Sequence, residues 1–155
     1  MKRLLLSLIM LVALFASAQG AKRRIAVLDV ANRGGQVLDA TVVLCRTAMR
    51  QAIESLPDYE LCSVSDIRMD RKTIVAGTPS ERTLAMLRER YALDALVLSS
   101  MQYPAADSIR LTMRLFELKG DTLSPTAVET VELPTRPLEV VVQGVMNATT
   151  SLITH

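Results

Sequence analysis

The chain is poor in the residues on which common catalytic sites depend. Its only histidine is the last residue, His155, so no internal histidine can serve acid–base catalysis or a histidine-based metal site. No serine lies in a Gly-x-Ser-x-Gly motif, which would mark a nucleophile elbow. The composition therefore predicts a protein that is not an enzyme, with no catalytic residues, no cofactor and no metal.

Aromatic residues and excess positive charge are also scarce. Three Tyr, two Phe and no Trp leave little surface on which nucleobases could stack. The 18 Lys and Arg residues fall to 16 without Lys2 and Arg3, which belong to the leader described next, and then equal the 16 Asp and Glu residues. A chain so close to neutral lacks the excess of Lys and Arg that binds phosphate backbones, so nucleic acid is not an expected partner.

The first residues have the pattern of a secretion signal. A basic pair at positions 2–3 precedes an apolar run at 4–15, and the small residues at 16–18 form a cleavage site of the Ala-x-Ala type. The apolar run is shorter than the roughly 20 residues that cross a bilayer. The sequence therefore predicts a signal peptide over residues 1–18 and no transmembrane span after its removal.

The mature part of the chain begins near Gln19. A lipid-acceptor cysteine would have to occupy that position, so the sequence predicts that the protein is not a lipoprotein. Residues 19–155 suit one ordinary domain with a sizeable core. We expect this single domain to work in the periplasm or in association with the cell envelope.

Two cysteines raise the question of a disulfide in an exported protein. Cys45 lies on the apolar stripe of a predicted helix, and Cys62 lies in the strand that follows it. A helix packs roughly 10 Å above a sheet, whereas bridged Cα atoms lie within about 7 Å. Two buried free thiols are therefore favoured over a bridge.

Apolar spacing predicts an alternation of strands and helices. Strands are predicted at 24–30, 59–64, 94–101, 109–115 and 123–133, and helices at 38–56, 78–93 and 138–153. The second helix is predicted to begin with Thr78 as N-cap and Pro79 at its first position, and Lys119 opens the turn of a final hairpin. This order predicts an α/β fold: a three-layer α/β/α sandwich with a mixed five-stranded sheet in the order 2-1-3-4-5, like that of anticodon-binding domains.

Three phrases of the sequence carry a family resemblance. They are Arg-Ile-Ala-Val-Leu-Asp-Val-Ala-Asn at 24–32, Tyr-Ala-Leu-Asp-Ala-Leu-Val-Leu at 91–98 and Arg-Leu-Thr-Met-Arg-Leu-Phe-Glu-Leu at 110–118. Together they resemble the TolB amino-terminal domain family and its relative, the curli-assembly CsgG-like family. The resemblance covers nearly the whole mature chain and implies a domain that binds other envelope proteins. The long amphipathic hairpins and lipidated cysteine of the secretion members are missing, which disfavours a channel.

Polar residues at strand ends give weak candidates for chemistry. Asp29 ends the first strand, where α/β sheets often hold catalytic groups, but a haloacid-type phosphatase needs a second aspartate where this chain has Ala31. We interpret Asp29, and likewise Asp94, as aspartates that bond nearby loop amides. Gly34 and Gly35 lack the other residues of a phosphate loop and predict a flexible turn.

Two candidate partner-binding patches remain. Arg110, Thr112 and Arg114 alternate with apolar residues and predict a basic docking stripe, unless they form only the solvated face of a sheet. Met101, Gln102 and Tyr103, just before Pro104, form an alternative contact patch.

The sequence as a whole predicts a non-enzymatic exported protein. Its expected role is protein–protein docking in outer-membrane or cell-wall assembly, with envelope proteins as partners. One alternative is a small exported enzyme that uses a sheet-edge carboxylate such as Asp29. Another is a ring-forming secretion accessory subunit, and with it a homo-oligomer.

Overall fold

The structure is a computed structural model that describes residues 20–28, 30–32, 37–63, 78–119 and 124–155. The strands are β1 (Arg23–Val27), β2 (Ala31–Asn32), β3 (Tyr59–Leu61), β4 (Ala95–Ala105), β5 (Ser108–Glu117) and β6 (Ala127–Pro134). The helices are α1 (Asp39–Glu54), α2 (Glu81–Tyr91) and α3 (Leu138–Thr154).

One mixed sheet forms the middle of the domain. Its strand order is β3-β1-β4-β5-β6, with β2 paired separately to β4. β1 runs parallel to β3 and β4, whereas β4, β5 and β6 are antiparallel neighbours. The predicted α/β class and the predicted order of the five main strands are confirmed, and β6 lies at the edge of the sheet.

The strand predicted at 24–30 corresponds to two assigned strands. β1 ends at Val27, the Leu28 N–H still donates to the Val97 carbonyl of β4 at 3.1 Å, and β2 pairs with β4 at Ala31 and Asn32. The Asn32 side chain bonds to Val37, since its Nδ2 donates to the Val37 carbonyl at 2.7 Å and its Oδ1 accepts from the Val37 N–H at 3.3 Å. Within the described residues the sheet therefore has six strands, of which β2 has only two residues.

Two hydrophobic cores, one on each side of the sheet, give the sandwich its three layers. Helices α1 and α3 pack on the first side, where Met49, Met113 and Val145 are fully buried. Helix α2 packs on the second side, where Leu87 contacts a smaller cluster that includes Phe116. Strand side chains alternate between the two sides, as the pleat requires.

The start of α2 differs from the predicted one. The N-cap is Ser80, whose hydroxyl accepts the Thr83 N–H at 3.2 Å, and the helix begins at Glu81. Thr78 therefore lies before the helix, and Pro79 is buried ahead of it rather than at its first position. The predicted N-cap, Thr78, is therefore wrong by two residues, and serine is the more favourable N-cap of the two residue types.

The hairpin strands also differ in length from the prediction. β4 continues to Ala105, through the segment predicted as a loop around Pro104. The β4–β5 register shifts between Gln102 and Ala105, and such an irregularity tolerates a proline within a strand. β6 begins at Ala127, several residues after the predicted start.

Both cysteines are buried free thiols, as the sequence favoured. Cys45 belongs to the core under α1, whereas Cys62 belongs to the core on the α2 side. The sheet therefore separates the two sulfur atoms. Burial raises the pKa of the Cys45 thiol to about 11, which keeps it protonated and unreactive at neutral pH.

We expect the native protein to resist thiol reagents. An aromatic disulfide reagent should modify neither cysteine in the folded chain, because neither is accessible, and should modify both Cys45 and Cys62 after unfolding without reductant. Spectrophotometric titration of the released thiolate measures both states. Finding no titratable thiol in the unfolded, unreduced chain would show a disulfide instead.

Candidate docking surface

The side of the sheet that carries α2 is only partly covered. The α2 core reaches as far as Leu98 and Phe116, which are 2% and 1% exposed. Farther across the sheet, Val128 of β6 is 52% exposed. We call this less covered part of the sheet the open face; its residues are Gln102, Arg110, Thr112, Arg114, Val128, Thr130 and Glu132.

The strand register arranges the open face in three rows. Thr112 of β5 forms the middle row, between Ser100 of β4 and Thr130 of β6. The outer rows are Gln102, Arg110 and Glu132 on one side, and Leu98, Arg114 and Val128 on the other. The predicted basic stripe is therefore the central strand of an accessible sheet surface.

The two arginines of the stripe differ in their partners. Arg110 forms an ion pair with Glu132, and its Nε lies 2.7 Å from Glu132 Oε1. Arg114 is half-buried and has no hydrogen-bond or ion-pair partner within the described ranges. Between them, the Thr130 hydroxyl donates to the Thr112 hydroxyl at 3.2 Å.

These contacts leave the open face with unbalanced positive charge. Glu132 is neutralised by Arg110, whereas the guanidinium of Arg114 offers its donors beside the exposed apolar surface of Val128. A planar guanidinium binds carboxylates in a bidentate manner and stacks on flat groups. The arrangement suits noncovalent binding of an acidic and partly apolar protein surface.

The second patch predicted from the sequence is divided between the two sides of the sheet. Met101 is fully buried in the core on the α1 and α3 side, and Tyr103 packs half-buried against the same core. In the register, Met101 stands beside Leu111, which is also fully buried. Only Gln102 lies on the open face, beside Arg110, and Met101 is inaccessible to a partner.

Three residues of the open face, Val128, Thr130 and Glu132, were not among the predicted ones, and Gln102 was assigned to the other patch. All four join the stripe because β4 and β6 pair on either side of β5. The alternation of polar and apolar residues in β4 and β6 indicates which residues share a face of each strand. Placing those faces beside the stripe also requires the register, since a shift by one residue turns every side chain to the other face.

A cleft of about 500 Å³ lies beside the carboxyl end of α3, next to the starts of β1 and β3 and the end of β5. Arg23 forms an ion pair with Glu117 there and lies 5.7 Å from the Tyr59 ring centroid. The hydrogen bond from its guanidinium to Glu117 raises the pKa of Arg23. The Tyr59 hydroxyl donates to the Ile153 carbonyl at 3.2 Å. These contacts tie β1 and β3 to β5 and α3, which indicates a structural role.

Asp94 accepts a backbone N–H, as predicted, but from the neighbouring strand β1 rather than from a nearby loop. Its Oδ2 accepts the Arg24 N–H at 2.9 Å, and its Oδ1 lies 3.3 Å from Lys119 Nζ. The backbone N–H of Arg24, followed by the Lys119 ammonium, lowers the pKa of Asp94 below its ordinary value. The residue joins β1 to the beginning of β4 and the end of β5.

Replacing Asp94 with Asn should give a pH-dependent loss of stability. The amide oxygen of Asp94→Asn can still accept the Arg24 N–H, so the variant removes mainly the charge. Because the native pKa of Asp94 lies below the unfolded one, its charge stabilises the fold above about pH 5, and the benefit disappears as pH falls through the native pKa. We expect a deficit of about 1 kcal/mol at pH 7. Urea unfolding at pH 7 and pH 3 measures it, and a deficit of equal size at both pH values would contradict this assignment.

The other predicted sites fall outside the described residues. These are Asp29, Gly34 and Gly35, and with them the signal peptide at 1–18. Within the described ranges, no three side chains of His, Cys, Asp or Glu form a group that could hold a metal ion. None of the helices in the described part of the chain is both long and apolar enough to cross a membrane.

Solved structures with a similar fold include proteins of Chlamydia trachomatis and Paraburkholderia phytofirmans. The hypothetical protein CT253 of Chlamydia trachomatis matches with a TM-score of 0.57 and 10% identity, over 86% of this chain and 95% of that chain. A variant of PelC from Paraburkholderia phytofirmans, a dodecamer, matches with a TM-score of 0.56 and 11% identity, over 86% of this chain and 89% of that chain. A second PelC dodecamer gives 0.51 and 13%, with 87% and 89% covered.

These similarities show the fold alone, because the identities are low. No family model and no curated protein sequence matches the chain. The resemblance to the TolB and CsgG-like families therefore stays a prediction from the sequence. The class that the structure establishes is a mixed-sheet α/β sandwich with one sheet surface only partly covered by a helix.

Proposed function

We propose that the protein is an exported, non-enzymatic docking domain of the cell envelope, and that its open face binds an acidic surface of another envelope protein. The observation that carries this proposal is the half-buried side chain of Arg114, which has no hydrogen-bond or ion-pair partner among the described residues and pairs in the register with the exposed Val128. Charge complementarity of this kind steers association and selects partners.

Two further features support the proposal. The leader pattern at 1–18 directs the chain out of the cytoplasm. The polar groups that the structure describes outside the open face mostly join strands and helices to one another, as Asp94 and Arg23 do. The predicted homo-oligomer is a separate matter; PelC, which has a similar fold, was solved as a dodecamer.

Charge reversal on the open face tests the proposal. A tagged, exported chain is crosslinked in intact cells, and the yield of each crosslinked neighbour is compared between wild type, Arg114→Glu and Arg88→Glu. Arg88 is a suitable control because it is an exposed arginine on α2, outside the open face. We expect Arg114→Glu to lower the yield of a specific adduct about tenfold, equivalent to about 1.4 kcal/mol, and Arg88→Glu to leave it unchanged.

Two outcomes would overturn the proposal. The first is an adduct whose yield falls equally in both variants, or in neither, because binding would then not depend on the open face. The second is fractionation of the intact precursor, with residues 1–18 uncleaved, into the cytosol. Folding of both variants is checked by circular dichroism before the comparison.

A further inference from the structure

The outer edge of β6 is an unpaired strand edge. Its inner side pairs with β5 from Ser108 opposite Pro134 to Leu115 opposite Ala127, without a shift in register. No other strand in the described part of the chain pairs with its outer side. Proteins usually guard such edges with charged side chains, lysine above all, or with bulges or proline. β6 has no Lys or Arg, and its guards are limited to Glu129, Glu132 and a proline at its last position.

The ladder fixes which backbone groups of β6 point outward. The Thr135 N–H donates to the Asp107 carbonyl at 2.8 Å, just beyond the end of the strand pair. Hydrogen-bonded pairs recur at every second residue of an antiparallel ladder, so the odd-numbered residues of β6 bond to β5. The N–H and C=O groups of Val128, Thr130 and Glu132 therefore face the free edge.

We propose that β6 pairs in antiparallel orientation with β6 of a second copy of this chain, centred on Thr130. In this register Thr130 stands opposite its own counterpart, and Val128 stands opposite Glu132 of the other copy. All three outward-facing residues find backbone partners, and the pairing ends before Pro134, which has no N–H to donate. The pairing rests on the β6 edge and goes beyond the proposed binding of an envelope partner.

The charges along β6 are compatible with this register. On the open face, each Glu132 faces a valine of the other copy. On the opposite face, Glu129 stands opposite Val131, so no glutamate lies directly opposite a glutamate. Directly opposed like charges would destabilise the strand pair, and a register centred on another outward residue would reach Pro134 or leave outward groups unpaired.

The helix beside β6 is also compatible with a second copy. α3 packs closely on β6, where Gly144 lies against Leu133, so continuing the sheet places two α3 helices near each other on one side. Among its residues only Glu139, in the first turn, is charged. The exposed side chains of Gln143 and Asn147 are uncharged and bond to each other at 2.8 Å. On the other side, the pairing joins two open faces into one continuous surface.

Engineered cysteines test the register directly. In the purified exported chain, Thr130→Cys places a thiol opposite its own counterpart, about 5.5 Å apart between Cα atoms, which a disulfide can span. Val128→Cys is the matched control, because its counterpart lies four residues farther along the pair, at about 14 Å. We expect mild oxidation to crosslink most of the Thr130→Cys chains and few of the Val128→Cys chains. The native cysteines are buried and do not interfere.

Sedimentation velocity supplies a second test. Val128→Glu places a glutamate opposite Glu132 of the other copy twice in each dimer, and should raise the dimer dissociation constant about tenfold or more. Within its own chain the new carboxylate lies beside Arg114 in the register, so the fold of the single copy is not weakened. Wild-type chains that stay monomeric at all concentrations, or equal crosslinking of the two cysteine variants, would overturn the proposal. Because Val128 also belongs to the open face, Val128→Glu tests only the dimer, and the docking proposal keeps its separate test with Arg114→Glu.

Discussion

Phe116→Ala should lower the free energy of unfolding by about 3–5 kcal/mol, the range measured for large buried aromatic residues. Phe116 is 1% exposed and belongs to the core under α2, together with Leu87 and Leu96. That core is the smaller of the two, so little neighbouring apolar mass is available to fill the cavity. Because small domains are stable by about 5–15 kcal/mol, the variant should lose a large part of its stability. Urea unfolding followed by circular dichroism measures the change.

The matched control is Arg114→Ala, two residues away on the same face of β5. Arg114 is half-buried and has no partner within the described ranges, so its removal should change stability by no more than about 0.5 kcal/mol. The difference in stability loss between Phe116→Ala and Arg114→Ala shows how far along β5 the core under α2 extends. A large loss for Arg114→Ala would show that this arginine stabilises the fold, and the open face would then be a poor candidate for binding.

Gly144→Val should lower the free energy of unfolding by about 2 kcal/mol, as overpacking of a filled site does. A Cβ atom at Gly144 would come too close to Leu133 Cδ2, and Leu133 is 6% exposed, so its side chain has little room to move. A β-branched residue also gives up side-chain freedom in a helix, which offsets part of the gain from removing a glycine. Thermal or urea unfolding of the purified variant gives the value.

A double-mutant cycle with Leu133→Ala separates this clash from other effects. The shortened side chain at Leu133 removes the methyl group that a Cβ at Gly144 would meet. We therefore expect Gly144→Val to cost at least about 1 kcal/mol less in the Leu133→Ala background than in the wild type. Additive losses would mean that α3 does not approach β6 at this point.

Apolar periodicity predicted most of the helices and strands. The spacing of Cys45, Met49 and Ile53 placed one face of α1 in the core, where all three are fully buried. The strand order followed from the crossover rules, because two successive β-α-β units and a final hairpin leave few arrangements. These features depend on patterns that extend over many residues, which single local contacts do not override.

The features that the sequence did not determine depend on single local contacts. The choice between Thr78 and Ser80 as N-cap is decided by one hydroxyl that reaches the Thr83 N–H. The short strand β2 ends at Asn32, whose side chain bonds to Val37. The side of the sheet on which Met101 lies could not be predicted, because it depends on the register of β4 with β5.

The candidate site was predicted in part. Alternation along β5 placed Arg110, Thr112 and Arg114 together on one face, which the structure also shows. The ion pair between Arg110 and Glu132, which Arg114 lacks, could not be predicted. Glu132 lies on β6, whose start the sequence placed several residues too early. Whether the face binds a partner is a proposal that stands on its charge and exposure.

Photocrosslinking from single positions in living cells tests the docking proposal most directly. A photoreactive residue at Thr112, in the centre of the open face, is compared with one at Gln51, exposed on α1 on the other side of the sheet. If the open face binds a partner, we expect a defined adduct with another envelope protein from the Thr112 position and none from Gln51. An adduct from Gln51 with none from Thr112, or no adduct from either position, would contradict it.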